Sequence, residues 1–399
     1  MNEGARAKWE RYRTAIAGEA LPCALVDLDA LEANVRALLR PLEGSGKTLR
    51  IATKSVRCPE LVERVRELAG PLARGLMTYT ATETAFWAER GERDLLLAYP
   101  TARADDAALL ARVNASGATA AVVVDAPEQL EVLATAAGTG STRVPVVLEI
   151  DVAWRPLGSL FHVGVRRSPL RQVADIVALA RRAHATEGLR FAGLMAYEAQ
   201  IAGLPDGSPA VRAMKGASRT DVARKRARVA RALTDAGLPV TLFNGGGTGS
   251  VAACAREAVL TEVTVGSGFV DSHLFDRYRG LALHPAAYFA LQVVRRPGPH
   301  LVTCHGGGYV ASGSAGRDRL PVPALPAGLQ LLPLEGAGEV QTPLEVGAGV
   351  DLALGDPVFF RHAKAGELAE HFPEYLFVRG PRVEARAPTY RGLGKCFLG

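Results

Sequence analysis

The sequence predicts an α/β protein in which a (β/α)8 TIM-type barrel is followed by an antiparallel, β-rich C-terminal domain. Three observations support this fold class. Between about residues 48 and 270, eight short apolar runs alternate with segments of helical periodicity. Small, Gly-rich turns follow the seventh and eighth of these runs, and beyond residue 285 strand-like pieces continue without a long helix. Near-continuous apolar strands separated by helices are typical of a parallel sheet covered on both faces, and eight such units close a barrel.

The eight predicted strands share a high content of Val, Leu, Ile and aromatic residues. They span residues 49–54, 75–80, 94–100, 120–125, 144–151, 189–197, 238–244 and 260–266. A doubly wound open sheet is the alternative architecture. It would normally show a glycine fingerprint after the first strand, where this chain has the glycine-free stretch ATKSVRCPEL. The barrel is therefore favoured.

Two changes of composition suggest the domain organisation. Residues 201–222 are rich in Gly, Pro, Ser and charge, which predicts a loop insertion after the sixth strand. From about residue 285 the segments ALQVVRRPG, HLVTCHGGGYVASG and PEYLFVRG are strand-like and separated by Gly and Pro. We therefore expect a barrel domain over 22–284 and a β-rich domain over 285–399, with residues 1–21 packing against the second domain.

Composition excludes several classes of function. The net charge of +6 arises from 47 basic and 41 acidic residues, and no basic stretch is interleaved with aromatic residues as a nucleic-acid platform requires. No apolar run is long enough for a signal peptide or a membrane span. The five cysteines are far apart and lack a CxxC spacing, which argues against a disulfide framework or a structural zinc site. We expect a cytoplasmic protein that binds neither nucleic acid nor membrane.

The two Gly-rich turns predict a phosphate site, because barrel active sites lie at the C-terminal ends of the strands. The first turn is NGGGTGS, residues 244–250, and a helix follows it; the second is Gly266-Ser267-Gly268. Glycines let backbone N–H groups approach an anion, Thr248 or Ser250 can add a hydroxyl, and a helix N-terminus is electropositive. Tight strand–helix connections would explain either turn alone, but both turns together predict that Gly246, Gly247, Thr248 and Ser267 hold a phosphate.

Lys54 ends the first predicted strand, so its amine is expected at the same mouth of the barrel. A lysine in this position can form an imine with an aldehyde cofactor. A salt-bridged rim lysine would explain Lys54 alone; beside a phosphate site the imine is the better interpretation. Tyr197 ends the sixth strand, and Arg155 and His162 follow the fifth. These three side chains are further candidates to face a cofactor.

At this point several motifs resemble those of a known family. The segments LPCALVDLDALEANV (21–35) and LRIATKSVRCPELVERV (49–65), together with the turns NGGGTGS and GSG, are similar to the fold-type III pyridoxal-phosphate enzymes. Within the alanine-racemase-like barrels, the D-threonine aldolase and D-serine dehydratase group and its amino-acid aldolase/deaminase subgroup are nearest. The resemblance implies pyridoxal 5'-phosphate on Lys54 as Schiff-base lysine. The other cofactor-binding positions that it implies are His162, Tyr197, Gly246, Gly247, Thr248, Gly266 and Ser267.

Near the C-terminus the chain departs from that family. In the family, a His-x-Cys or His-x-Asp pair holds a divalent metal. The corresponding residues of this chain are His362-Ala363-Lys364. A protonated lysine has no lone pair to offer a metal. The departure argues against a divalent metal, leaving His362 as the single surviving ligand candidate, with Glu339 or Glu367 as a partner if a metal is used. Without a metal, His362 would move a proton while Lys364 supplies positive charge.

The resemblance implies a lyase that cleaves or forms the Cα–Cβ bond of a β-hydroxy amino acid, giving glycine and an aldehyde. Dehydration of the same substrates is the nearest alternative, and racemisation is the third. A pyridoxal-phosphate carrier without substrate chemistry is an alternative of another class, although such proteins resemble the barrel alone. A barrel without a cofactor would make Lys54 an ordinary rim residue. The second domain implies a homodimer, because in this family it walls the partner subunit's active site.

Overall fold

The computed structural model describes residues 3–139 and 141–398. The strands are β1 (Cys23–Asp27), β2 (Thr48–Ala52), β3 (Ala73–Thr78), β4 (Asp94–Leu97), β5 (Thr119–Val124), β6 (Val144–Glu149), β7 (Leu189–Met195), β8 (Leu242–Gly245), β9 (Glu262–Val265), β10 (Ala287–Gly298), β11 (Leu301–His305), β12 (Val322–Leu325), β13 (Leu329–Leu331), β14 (Gln341–Val346), β15 (Pro357–Arg361), β16 (Glu374–Arg379) and β17 (Arg382–Pro388).

The helices are α1 (Glu3–Ala15), α2 (Leu28–Leu39), α3 (Pro59–Ala69), α4 (Ala81–Glu89), α5 (Ala104–Ala115), α6 (Pro127–Ala137), α7 (Val173–Ala185), α8 (Ala199–Ala202), α9 (Pro209–Asp235), α10 (Val251–Cys254) and α11 (Ala365–Leu368). Short 3-10 turns lie at 53–55, 70–72, 158–160, 248–250, 267–269, 273–277 and 317–319. Within the described ranges, no helix is both long and apolar enough to cross a membrane.

The chain forms two compact units, and neither is continuous in sequence. The barrel unit contains the described residues of 38–54, 69–266 and 397–399, and the sheet unit contains those of 1–37, 55–68 and 267–396. Strand β1, inside the stretch 22–284 expected for the barrel domain, pairs with β10 and β16 in the sheet unit. The domain boundary at 284/285 stays a prediction.

In the barrel unit the strands β2 to β9 form a closed, eight-stranded parallel barrel. Each of the eight strands predicted from the sequence overlaps one of these strands, which confirms the predicted fold class. Helices α4 to α7 and α9 follow successive strands and cover the outside, α7 for example packing on β6 and β7. A parallel sheet needs this cover because both of its faces are apolar.

The inside of the barrel has an apolar layer made of residues in the strands or directly after them. Its members are Met77, Leu96, Ala98, Tyr99, Ala121, Val123, Val147, Ala192, Met195 and Leu242. A polar layer lies elsewhere among the same strands, where the fully buried Arg50 donates from Nε and Nη2 to both carboxylate oxygens of Glu262, at 2.7 and 2.8 Å. Asn244 Nδ2 donates to Glu262 Oε1 at 2.6 Å, so the arginine and its carboxylate are paired and hydrogen-bonded as burial requires.

The sheet unit is built on a mostly antiparallel sheet in the order β13-β14-β11-β10-β1-β16-β17, with β15 pairing β10 and β12. The β1–β16 pair is parallel. Asp27 ends β1 and caps α2, because its Oδ1 accepts from the N–H groups of Asp29 and Ala30 at 3.0 and 3.1 Å. Its Oδ2 accepts from the Tyr12 hydroxyl at 2.5 Å, which fixes α1 to the sheet.

The loop predicted over 201–222 is wrong for most of its length, since α9 begins at Pro209 and runs for 27 residues. Ser208 is the N-cap and Pro209 occupies the first helical turn, an arrangement that favours helix initiation. Half of the buried residues of α9 are polar: they are Lys215, Ser218 and Arg226, beside Val222, Val229 and Leu233. A polar buried face gives no apolar periodicity, so the helix resembled a loop.

Candidate active site

Lys54 lies in a 3-10 turn, Thr53–Ser55, directly after β2 at the C-terminal end of the first barrel strand. Thr53 anchors this turn through a hydrogen bond from its hydroxyl to the Met77 carbonyl at 2.9 Å. The Lys54 side chain is exposed, and its Nζ donates to the Tyr99 hydroxyl at 2.7 Å. The amine is therefore accessible to a ligand at the barrel mouth, and a phenol lies within hydrogen-bonding distance of it.

The turn after β8 requires its glycines for steric reasons. Gly246 has φ +92°, and a Cβ there would lie 2.5 Å from Val263 Cγ1. A Cβ on Gly247 would lie 2.9 Å from Ala202 Cβ. The Gly246 N–H donates to Glu198 Oε2 at 3.2 Å and the Gly247 N–H to Ser250 Oγ at 3.1 Å. Both amides thus have partners inside the protein, which the sequence did not indicate.

A buried charge cluster lies beneath this turn. Glu198 forms an ion pair with Arg226 of α9, and both side chains are essentially inaccessible to solvent. Glu198 Oε1 also accepts from Ser250 Oγ at 2.5 Å, and Arg226 Nη1 pairs with Glu257 at 2.6 Å. Burial alone would raise the pKa of Glu198, but Arg226 and the hydrogen bonds from Ser250 and Cys254 together outweigh burial and hold this pKa below its usual range. Glu198 is therefore ionised and connects the end of β7, the glycine turn and α9.

Tyr197 and His162 both lie in the barrel unit. The Tyr197 ring is beside the glycine turn, since a Cβ on Gly247 would lie 3.3 Å from Tyr197 Cε2. Burial, with Glu198 adjacent, raises the pKa of Tyr197 to about 12, so the phenol keeps its proton. The Arg167 guanidinium lies 5.6 Å from the Tyr197 ring centroid. His162 Nε2 is 3.1 Å from the Gly164 carbonyl, and its buried Nδ1 has no hydrogen-bond partner among the described residues.

Three predicted site residues, Ser267, His362 and Lys364, belong to the sheet unit. Ser267 begins the 3-10 turn 267–269, and its hydroxyl is 3.0 Å from that of Ser55. His362 follows β15 and is 3% exposed; its Nδ1 is 2.7 Å from the Lys364 carbonyl. Its Nε2 is buried without a hydrogen-bond partner among the described residues, and burial lowers the pKa of His362. The imidazole is therefore neutral near pH 7.

Lys364, which the sequence analysis expects to supply positive charge, has polar partners of its own. Its Nζ donates to Ser312 Oγ at 2.8 Å and lies 3.8 Å from Glu367 Oε1. Glu367 also accepts from the Ser312 N–H at 2.7 Å. The lysine charge is thus partly compensated by a carboxylate, and Glu367 is engaged with neighbours of its own. Across the described parts of the chain, no three His, Cys, Asp or Glu side chains come close enough together to hold a metal ion.

Residues important to the site were missed at the sequence level. Glu198 follows Tyr197 directly, and a carboxylate after a barrel strand was an available signal. Arg226 lies within the charged run 224–228, which is typical of a solvated helix face, yet it is fully buried. A third missed residue, Glu149, ends β6 and is 6% exposed.

The sequence profile of the family described as alanine racemase, N-terminal domain, matches residues 26–270. This match spans more than half of the chain, which therefore belongs to that family. The resemblance inferred from the sequence motifs is confirmed.

More specific relatives carry aldolase names. A D-threonine aldolase from Arthrobacter sp. is 27% identical over 293 residues, covering 72% of this chain and 71% of the relative. A 3-hydroxy-D-aspartate aldolase from Paracoccus denitrificans is 27% identical over 252 residues, covering 63% of this chain and 60% of the relative. The crystal structure of D-threonine aldolase from Filomicrobium marinum superposes with a TM-score of 0.81 at 23% identity, covering 94% of this chain and 95% of that one. The last comparison shows the shared two-part fold.

The buried pair beneath the glycine turn should contribute strongly to stability. Arg226→Met leaves Glu198 buried without its cation, which should lower the free energy of unfolding by about 3–5 kcal/mol in urea titrations. The matched control is Arg231→Met on the same helix, where the side chain is 85% exposed and lies 3.8 Å from Asp235. That variant should change stability by less than about 1 kcal/mol. Equal losses in the two variants would contradict the assigned role of Arg226.

Proposed function

We propose that this protein is a pyridoxal-phosphate-dependent aldolase that cleaves or forms the Cα–Cβ bond of a β-hydroxy amino acid, with glycine and an aldehyde as the other side of the reaction. The observation that carries the proposal is Lys54, an exposed amine at the end of the first strand of a barrel whose seventh strand leads into a glycine turn. The aldolase names of the relatives select this reaction over dehydration and racemisation.

The residues of the barrel unit fit the proposed cofactor. Lys54 supplies an amine for the cofactor aldehyde. The turn at Gly246 and Gly247 has no room for side chains, and its two amides are bonded to Glu198 and Ser250, so this turn would shape the phosphate site while neighbouring groups contact the phosphate. Thr248 and Gly266 would contact the phosphate, with Tyr197 and His162 beside the ring. The assignment of Ser267, which lies in the sheet unit, stays a prediction from the sequence. When bound, the cofactor supplies an electron sink for the pair released from the Cα–Cβ bond.

The residues around His362 do not fit a divalent metal. His362 Nε2 offers one buried lone pair, but the position two residues on is a lysine whose amine is engaged by Ser312 and Glu367. We infer that His362, held neutral by burial, takes the proton of the β-hydroxyl at Nε2. In the tautomer that takes a proton at Nε2, the Nδ1–H would donate to the Lys364 carbonyl, which lies 2.7 Å away, and Lys364 with Glu367 would position this segment.

We also infer a cytoplasmic homodimer that takes a small amino acid as substrate. Both inferences rest on the family resemblance, and the dimer agrees with the second, sheet-forming unit of the chain. The non-enzymatic alternative, a cofactor carrier, resembles the barrel alone, whereas the structural match to the aldolase covers 94% of this chain.

The proposed reaction is tested with a panel of D- and L-β-hydroxy amino acids, assaying aldehyde, keto acid and inverted amino acid separately. We expect aldehyde and glycine in equal amounts from at least one substrate. Keto acid as the main product would establish dehydration instead, and inversion without cleavage would establish racemisation.

Covalent attachment at Lys54 has its own test. The purified protein should be yellow, and borohydride should fix the cofactor on the peptide that contains Lys54. Lys54→Ala should be colourless, while the control Lys225→Ala, which removes an amine paired with Asp221 on α9, should stay yellow. A colourless wild type after incubation with pyridoxal phosphate would refute the proposed cofactor.

His362→Ala should lower turnover about 10²–10⁴-fold, the usual contribution of a positioned acid–base group, without loss of the yellow colour. His184→Ala, an exposed histidine on α7, is the control and should be nearly neutral. Exhaustive treatment with EDTA should leave turnover unchanged. If EDTA abolishes activity and manganese or zinc restores it, His362 is a metal ligand and the metal-free proposal is wrong.

A further inference from the structure

Glu149 faces the inside of the barrel at its C-terminal end. It is the last residue of β6, and Val147, two residues earlier, belongs to the apolar inner layer. Because side chains in a strand alternate between faces, Glu149 lies on the same side as Val147. The C-terminal ends of barrel strands are where substrates bind. Glu149 therefore lies at the position of a substrate-facing residue, although it is only 6% exposed.

The carboxylates near this end of β6 differ in their hydrogen-bond and ion-pair partners. Asp125, after β5, accepts from Gln129 Nε2 at 3.0 Å. Asp151 accepts from Arg155 at 2.6 Å and from Arg171 at 3.0 Å. The Glu149 carboxylate makes no hydrogen bond or ion pair with any residue that the structure describes.

Glu149 is 6% exposed, and its carboxyl oxygens are not among the fully buried side-chain atoms that lack a hydrogen-bond partner, so the carboxyl group keeps some access to solvent. A largely desolvated carboxyl group with a purely structural role would normally be paired, as Asp151 is. The missing partner is supplied most simply by a ligand at the barrel mouth. This is the observation on which the inference depends.

The electrostatic surroundings support a group that exchanges protons. Burial raises the pKa of Glu149 to about 7; Arg167 opposes this, while Asp125 and Asp151 add to it. Arg167 lies in the segment before α7, Asp125 follows β5, and Asp151 follows β6 two residues after Glu149. These are the charged groups that shift the pKa of Glu149. Near neutral pH the protonated and ionised forms of Glu149 are both populated, as an acid–base residue requires.

We propose that Glu149 is a further acid–base residue of the site, which in its protonated form delivers the proton to Cα of the nascent glycine. The inference rests on the proposed function. The β-hydroxyl loses its proton, the Cα–Cβ bond breaks with its electron pair left on Cα, and the O–H bond of Glu149 breaks as its proton bonds to Cα. The hydroxyl proton is then on His362 Nε2 and Glu149 is ionised. His362 releases its proton to solvent and Glu149 takes one up from solvent, so one aldehyde and one glycine result and both residues return to their starting protonation states.

The reverse half of this step can be measured without any aldehyde. The holoenzyme in D₂O should exchange the α-protons of glycine for deuterium, and proton NMR measures the rate of this exchange. Glu149→Gln keeps the shape but has no ionisable proton, and it should slow this exchange about 10²–10⁴-fold while the yellow colour remains. Exchange at the wild-type rate in Glu149→Gln would overturn the inference.

Two further variants test whether Glu149 sets the pH dependence of exchange. Asp125→Asn removes a negative neighbour and should move the pH midpoint lower, whereas Arg167→Gln removes a positive neighbour and should move it higher. A residue with only a structural role would change the rate without these opposite shifts. Asp125→Asn and Arg167→Gln also test the proposal if Glu149→Gln fails to fold. An unchanged pH midpoint of exchange in both variants would refute the proposal.

Stability gives an independent readout. Because the folded protein holds the Glu149 proton more tightly than the unfolded chain, its contribution is present at low pH and is lost as the pH rises through about 7. Glu149→Gln should therefore unfold at higher urea than wild type at about pH 8.5, and at about the same urea near pH 5. Lower stability of the variant at both pH values would show that Glu149 is structural.

Failure of this inference is distinguishable from failure of the proposed function. If wild type exchanges glycine α-protons but releases no aldehyde from any β-hydroxy amino acid, the aldolase proposal fails and Glu149 is still judged by the exchange rates. If wild type releases aldehyde and Glu149→Gln does so equally fast, the aldolase proposal stands and the role of Glu149 is refuted.

Discussion

The ion pair between Glu198 and Arg226 is the interaction on which the barrel end of the site depends. Glu198 accepts from the Gly246 amide and the Ser250 hydroxyl, while Arg226 reaches the Ala196 carbonyl and Glu257. One buried pair thus joins the end of β7, the turn after β8, the following short helix and α9. Each charge is tolerated in the interior only because the other is present and the remaining hydrogen-bonding capacity is largely used. The geometry of the glycine turn follows from this pair.

Much of the fold could be predicted because a parallel barrel covers both faces of its strands, so most of these strands are largely apolar. Strands such as β5 and β6 are buried along nearly their whole length, so their sequences are continuous runs of Val, Leu and Ala. Helix α9 could not be found in the same way, because Lys215, Ser218 and Arg226 occupy its buried face. Apolar periodicity reports burial only where the buried surface is apolar. Charges that are paired inside the protein resemble charges in solvent.

In the candidate site, too, some residues could be predicted from the sequence and others could not. Lys54 and the glycine turn were recognisable from the sequence because their positions at strand ends determine what they can reach. The partners of the turn amides were not, since Glu198 and Ser250 meet them only after folding. Glu149 lies within the run VPVVLEID, which predicts a strand but does not distinguish Glu149 from the other strand residues. A single carboxylate at the end of an otherwise apolar strand, with no cation at helical or strand spacing, is the signal that sequence reasoning passed over.

The discontinuous sheet unit has a consequence for how the chain folds. Strand β1 is an apolar segment whose partners are β10, with Leu25 opposite Tyr288, and β16, with Leu25 opposite Leu376. Both partners are separated from β1 by more than half of the chain, so contact order is high and loop closure must precede pairing. Until β10 has been synthesised, β1 has both edges unpaired and its apolar side chains uncovered. The nascent chain therefore carries an aggregation-prone segment near its start, which would make chaperone binding during synthesis more important than the stability of the finished fold suggests.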